Sequence, residues 1–151
     1  MEERAFLWVP GYEADDRELP KRQTRAAAGY DLAAYDEIIL PPNRITLVPT
    51  GVCVRMPENE FLAIYPRSSL AIKHHVMLAN GVGIIDADYY GNANNHGHIM
   101  VPLWNLSQHT VLIHQGERIA QGIFQCYQKT TTESPIEKER SSGFGSTDES
   151  V

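Results

Sequence analysis

The chain has 151 residues, 42% hydrophobic and 21% charged, with a formal net charge of −6, which is the balance of an ordinary single-domain globular protein. The acidic charge argues against a nucleic-acid coat, which needs a basic face, but not against a nucleotide held by a few local arginines. No apolar run approaches the ~18 residues of a membrane span, and Met1-Glu2-Glu3-Arg4 leading into Phe6-Leu7-Trp8-Val9 does not read as a signal peptide, so a cytoplasmic protein with no membrane partner is expected.

Short apolar runs punctuated by proline, glycine and asparagine follow one another along the chain. They are Glu37-Ile38-Ile39-Leu40, Ile45-Thr46-Leu47-Val48, Val52-Cys53-Val54-Arg55-Met56 and Phe61-Leu62-Ala63-Ile64-Tyr65, then Val76-Met77-Leu78-Ala79. A second group runs from His98 to Trp104, from Thr110 to Ile113 and from Arg118 to Phe124. Strand-length runs with such frequent turn signals predict an all-β sandwich, jelly roll or barrel. One helical turn is expected over Ser68-Ser69-Leu70-Ala71-Ile72-Lys73, with the serines capping its start. Cys53 and Cys126 both sit in apolar segments, outside any Cys-x-x-Cys spacing, and are expected as buried free thiols. Near residue 129 the composition turns polar, so residues 1–128 are expected to form the domain and 129–151 a flexible arm.

The densest chemistry lies in Gly83-Ile84-Ile85-Asp86-Ala87-Asp88-Tyr89-Tyr90-Gly91. In an extended chain Asp86 and Asp88 share a face, and carboxylates beside an apolar run are costly unless something uses them. Asp86 alone reads more readily as a turn aspartate than as a catalytic base. Arg67-Ser68-Ser69 reads equally as a phosphate cradle or as a capped turn with a surface arginine. Gln121 lies in an apolar strand where its amide needs a partner, unless the strand is an edge. His96 and His98 lack ligand spacing for zinc and are expected as solvated loop histidines. Asn105-Leu106-Ser107 is a glycosylation sequon only in a secreted protein.

In their order these features resemble the five-motif pattern of the trimeric dUTP pyrophosphatases (dUTPases), of a phage or Gram-positive type. Ala28-Gly29-Tyr30-Asp31-Leu32 is similar to the first motif and Pro66-Arg67-Ser68-Ser69-Leu70-Ala71 to the second. Asn80 with Gly83-Ile84-Ile85-Asp86-Ala87-Asp88-Tyr89 resembles the third, and Gly116-Glu117-Arg118-Ile119-Ala120-Gln121 the fourth. Arg140 with Gly143-Phe144-Gly145-Ser146-Thr147 resembles the fifth. The resemblance implies a distorted β jelly roll, a homotrimer with sites shared between subunits, and Mg²⁺-dependent hydrolysis of dUTP to dUMP and pyrophosphate. It makes Asp86 the general base and Asp31 an outer-sphere partner of the metal, acting through water. It gives a third-motif hairpin (Asn80, Gly83, Ile85) to uracil and Tyr89 to the deoxyribose. Arg67, Ser68, Ser69 and Gln121 go to the phosphates. The arm would close last, with Phe144 on uracil, Arg140, Ser146 and Thr147 reaching the γ-phosphate, and Gly145 also binding the substrate.

Three departures from the family pattern stand out. The fifth motif is one residue short between Arg140 and Phe144, residues 92–97 lengthen the loop after the third motif, and Ser69 replaces a frequent glycine. The lengthened loop leaves a regulatory role with a protein partner, as proposed for some phage members, as one alternative. The related dCTP deaminases are the other, but they rely on a glutamate in the third motif where this chain has Asp86-x-Asp88-Tyr89.

Overall fold

The computed structural model describes residues 3–12 and 16–143. Eleven strands and one short helix follow in chain order: β1 (Ala5–Trp8), β2 (Tyr30–Ala33), β3 (Ile38–Leu40), β4 (Ile45–Pro49), β5 (Val52–Arg55), β6 (Glu60–Pro66), α1 (Ser68–His74), β7 (Val76–Leu78), β8 (Gly83–Asp86), β9 (Met100–Asn105), β10 (Val111–Ile113) and β11 (Arg118–Cys126). Every pairing is antiparallel. The strands assort into a four-stranded sheet β2-β11-β6-β8, a three-stranded sheet β4-β9-β7 and the pairs β1-β5 and β3-β10. This is the expected all-β, jelly-roll-like fold.

The period of two that predicts the strands also builds the core. In β9, Val101, Leu103 and Asn105 are buried while Met100, Pro102 and Trp104 face outward. Leu62 and Ile64 of β6, Ile119 of β11 and Leu78 of β7 meet Val101 and Leu103 in one continuous apolar cluster. The β6-β11 ladder runs unbroken from Ala120↔Pro66 to Cys126↔Glu60 and is the spine of the larger sheet.

Two strands are additional to those the sequence predicts. β1 is the Phe6-Leu7-Trp8 run, which pairs with β5 in register Leu7↔Cys53, and β2 is Tyr30–Ala33, which pairs with β11. Three local expectations are corrected. Ser68 and Ser69 do not cap α1. They are its first helical residues, Arg67 takes the N-cap position, and no side-chain capping bond forms. Cys53 is buried but Cys126 is exposed, because β11 outlasts the core it covers. His98 is buried rather than solvated, with its Nε2 accepting the Gly51 N–H at 2.9 Å. Glu60 is also buried, and Arg4 neutralises it through Nε–Oε1 (2.7 Å) and Nη2–Oε2.

Asn105 shows how the polar interior is satisfied. Fully buried, it donates to the carbonyls of Leu40 (2.9 Å) and His109 (2.7 Å) and accepts from the N–H and hydroxyl of Ser107. Its amide is therefore closed to glycosylation. Asn105→Ala strips the buried Leu40 carbonyl of this donor and leaves a cavity among the core strands, and is expected to cost about 2 kcal/mol. Urea denaturation will show this as a lower midpoint at unchanged slope.

Candidate active site

Two groups of polar residues lie at different places on the sheets. The first surrounds a cleft of about 170 Å³ between the two larger sheets, walled by Ile64, Leu78, Asn80, the strand Gly83–Asp86, Tyr89, Met100, Pro102, Arg140 and Gly143. Residues 79–82 carry the chain from β7 into β8 through a tight turn, with Gly81 N–H donating to Leu78 O and Val82 N–H to Asn80 O. The expected third-motif hairpin is in fact a crossover. β7 pairs with β9 and β8 with β6, so the turn joins one sheet to the other and opens the cleft between them.

Asp86 ends β8 opposite Phe61, and Asp88 follows in a 3-10 turn over Ala87–Tyr89. Their carboxylates do converge, but through the turn and not through strand alternation. Arg140 bridges them, with Nη2 to Asp86 Oδ2 at 2.7 Å and Nε to Asp88 Oδ1 at 2.8 Å. The Asp86 side chain remains half exposed at the rim.

Tyr89 is buried, at 6% exposure. Its hydroxyl donates to His98 O at 2.6 Å and accepts from Asn95 Nδ2 at 2.8 Å. Burial pushes the phenol upward against the opposing pull of Asn95 and Arg140, so it stays a neutral donor. Asn92, also buried, sends its Nδ2 to Tyr89 O.

The second group gathers at the far end of β6. Asp31 of β2 faces Gln121 of β11 across the ladder, and its carboxylate lies 3.5 Å from both Arg67 Nε and Arg118 Nη1. Gln121 Nε2 donates to Pro66 O at 3.2 Å, so its amide has the partner an apolar strand requires. Ser68 and Ser69 open α1 beside Arg67. A larger cavity of about 570 Å³ borders this group at Asp31 and Arg118, between the segment around Arg17–Gln23 and residues such as Tyr35, Val52 and Gln115.

One chain does not bring the two groups together. Asp86 sits opposite Phe61 and Arg67 lies six residues on, just past the end of β6, a separation of about 20 Å at strand rise. Phe144, Gly145, Ser146 and Thr147 lie outside the described residues. Site residues that sequence reasoning missed are the cleft walls Ile64, Leu78, Met100 and Pro102, and the Tyr89 supports Asn92, Asn95 and His98. The outward alternation of Met100 and Pro102 in β9 was a usable signal for two of them. For the asparagines nothing beyond their density in the loop could have served.

His98 links this site to pH. Burial pushes its imidazole below the ordinary value of 6.5, and its unprotonated Nε2 accepts from Gly51 while the Tyr12 ring packs against it at a tilt, centroids 4.6 Å apart. As pH falls, the unfolded chain takes up this proton before the folded one does. The stability held by neutral His98 is therefore whole above about 6.5 and drains as pH falls from there toward the folded-state value. Thermal melts across this range should show wild-type Tm dropping more steeply than that of His98→Gln. Parallel slopes would rule the linkage out.

Comparison with known proteins identifies the family. The dUTPase family model matches residues 15–148. A deoxyuridine 5'-triphosphate nucleotidohydrolase of Lactococcus lactis is 40% identical over 148 residues, covering 97% of this chain and 99% of its own. The crystal structure of a Streptococcus mutans dUTPase superposes with a TM-score of 0.80 at 42% identity, covering 83% of this chain and 97% of that one. A mutant dUTPase from phage phi11 of S. aureus, solved with a structural Mg(II) ion, shares the fold at a TM-score of 0.70 and 19% identity, over 90% and 97% of the two chains. The chain belongs to the dUTPase family.

Proposed function

We propose that this protein hydrolyses dUTP to dUMP and pyrophosphate, as a dUTP diphosphatase, with Asp86 as general base in a site completed by neighbouring copies of the chain. Family membership supports the reaction. The observation that carries the mechanism is the position of Asp86, half exposed at the rim of a cleft whose wall is the pinned ring of Tyr89.

Asp86 accepts a proton from water as its oxygen attacks the α-phosphorus in line. The new P–O bond forms as the bond to the bridging oxygen breaks, and pyrophosphate leaves. A carboxylate suits this task because it is ionised at neutral pH and gains a proton only as the bond forms. The turn holding Asn80, with Gly83 and Ile85, reads the pairing edge of uracil, where cytosine would leave buried groups unpaired. Tyr89 lies under the deoxyribose. Its ring, held from both sides at the hydroxyl, leaves no slack for a ribose 2′-hydroxyl.

Arg67, Ser68, Ser69 and Gln121 bind the phosphates. At about 20 Å from Asp86 along β6, they serve the cleft of another subunit, which makes a homotrimer with shared sites the natural assembly. An apolar row supports such contacts. Ile45, Trp104 and Met77 are paired across β4, β9 and β7, all exposed, and β9 carries the row into the cleft through Pro102 and Met100.

Mg²⁺ fits this donor set as a partner of the triphosphate. Among the described residues no group of three metal-binding side chains gathers, whereas a single carboxylate, Asp31, lies with Arg67 and Arg118. Mg²⁺ commonly keeps its waters and takes substrate phosphates with one or two carboxylates, so Asp31 would hold it through water. When bound, the ion neutralises charge developing on the phosphates. Residues 129–151 form the arm on the 1–128 domain. Its closure brings Phe144 onto uracil and Gly145, Ser146 and Thr147 to the γ-phosphate, while Arg140 exchanges Asp86 and Asp88 for that phosphate. In a cytoplasmic setting the reaction would keep uracil out of DNA and supply dUMP for thymidylate synthesis.

Pyrophosphate release with Mg²⁺ from dUTP, and not from dCTP, dTTP or UTP, is the expected result; ammonia from dCTP would mean deamination instead. Asp86→Asn should keep nucleotide affinity and lose roughly 10²- to 10⁴-fold in kcat, and full turnover in that variant would remove Asp86 as the base. Trp104→Glu should yield monomers by light scattering together with loss of hydrolysis. A Trp104→Glu trimer would place the interface elsewhere.

A further inference from the structure

Residues 92–97 form a loop built to present one side chain. Buried Asn92 accepts the N–H groups of Asn94 and Asn95 on its Oδ1, each at 3.0 Å, and donates to Tyr89 O and Asn95 Oδ1, each at 2.8 Å. Asn95 directs its own amide to the Tyr89 hydroxyl and accepts from Gly97 N–H. Gly97 holds φ at 84°, where a Cβ would stand 2.8 Å from Tyr89 O, so no other residue closes the loop without strain. Asn94 differs from its neighbours. It is exposed, and its Nδ2 donates to Ser142 Oγ at 2.6 Å while its N–H reaches Ser141 O at 3.3 Å.

Four successive arm residues are fixed together: Arg140 on Asp86 and Asp88, Ser141 and Ser142 on Asn94, and Gly143 against the Tyr89 ring, where a Cβ would come within 2.7 Å of Cε1. Arg140 alone cannot set this register, because a long flexible side chain meets the same carboxylates from neighbouring backbone positions. Ser142 and Gly143 can. A slip of one residue breaks the short Asn94 contact and drives a side chain into Tyr89. Two departures from the family pattern thus touch each other, for the lengthened loop seats the arm that is one residue short between Arg140 and Phe144.

We propose that Asn94 is a positioning residue that seats the arm and sets its register over the nucleoside cleft. The inference rests on the dUTP reading for its kinetic consequence only. The test compares wild type, Asn94→Ala, Ser142→Ala and the double variant, all full length. One readout is tryptic cleavage after Lys138 and Arg140 without nucleotide, followed by mass spectrometry; the other is kcat and KM for dUTP.

Loss of one hydrogen-bonded seat should raise arm cleavage about threefold to tenfold and lower kcat/KM by a similar factor, through KM. Tm should not move, since the Asn94 side chain supports nothing within the loop. Asn92→Ala, by contrast, should lower Tm. Because Ser142 makes contacts besides Asn94, the double variant should be no worse than Ser142→Ala alone. Equal cleavage in wild type and Asn94→Ala, or additive effects in the double variant, would overturn the seat. A wild type inert toward dUTP would sink the functional reading, and the cleavage comparison would still decide the seat.

Discussion

The hydroxyl of Tyr89 is the point on which the candidate site turns. It joins the 3-10 turn after Asp86 to the 92–97 loop through Asn95 and to the start of β9 through His98 O. His98 in turn ties the Gly51 turn to the same place. A buried phenol without partners would be costly. With both sides satisfied it becomes a rigid wall, and Asp86 is three residues away along a short, fully turned segment. The direction of the carboxylate, the floor of the cleft and the seat of the arm are therefore set by one hydrogen-bonded group in the low-dielectric interior, where such networks are strongest.

β6 supplies the complementary constraint. A strand is a ruler, and this one holds the cleft residues along one half and the arginine-serine group past its end. No side-chain rearrangement closes a gap of about 20 Å. If both groups serve one reaction, as proposed, they can meet only between copies of the chain, and the exposed Ile45-Trp104-Met77 row is apolar area open to such a contact. In the proposed function, association would then be a condition of the chemistry, where in many proteins it only adds stability.

Much of this was legible in the sequence because it rests on local patterns. Alternation in β9 and β11, turn residues around β4 and β5, and the ordered motifs from Gly29 to Gly143 all carry their meaning within a few residues. What escaped depends on pairing across long separations. β2 was hidden because Tyr30–Ala33 is a short run with one polar position, and β11 and the Arg67-Arg118 pair are what accommodate Asp31 there. Buried Glu60 needed Arg4, 56 residues away. The 79–82 turn looked like a hairpin because its flanks are both strands, and nothing local says that each joins a different sheet. The serines before Leu70 carry the usual capping signature, yet the extended backbone of Arg67 takes the N-cap position one residue earlier.

An acidic chain that handles a polyanion must solve its electrostatics locally. The net charge of −6 repels a triphosphate at long range, but that repulsion is screened over about 8 Å at physiological ionic strength. Within that distance the balance is different. Asp31 is outnumbered by Arg67 and Arg118, and Asp86 and Asp88 are bridged by Arg140. Each carboxylate the site needs is thus held beside a guanidinium. The arm matters here beyond covering the cleft, because Arg140 is the one charge in this balance that belongs to a segment without strand or helix. Seating that segment halves the charge with which the Asp86 rim meets an incoming phosphate, from two bare carboxylates to one net negative charge.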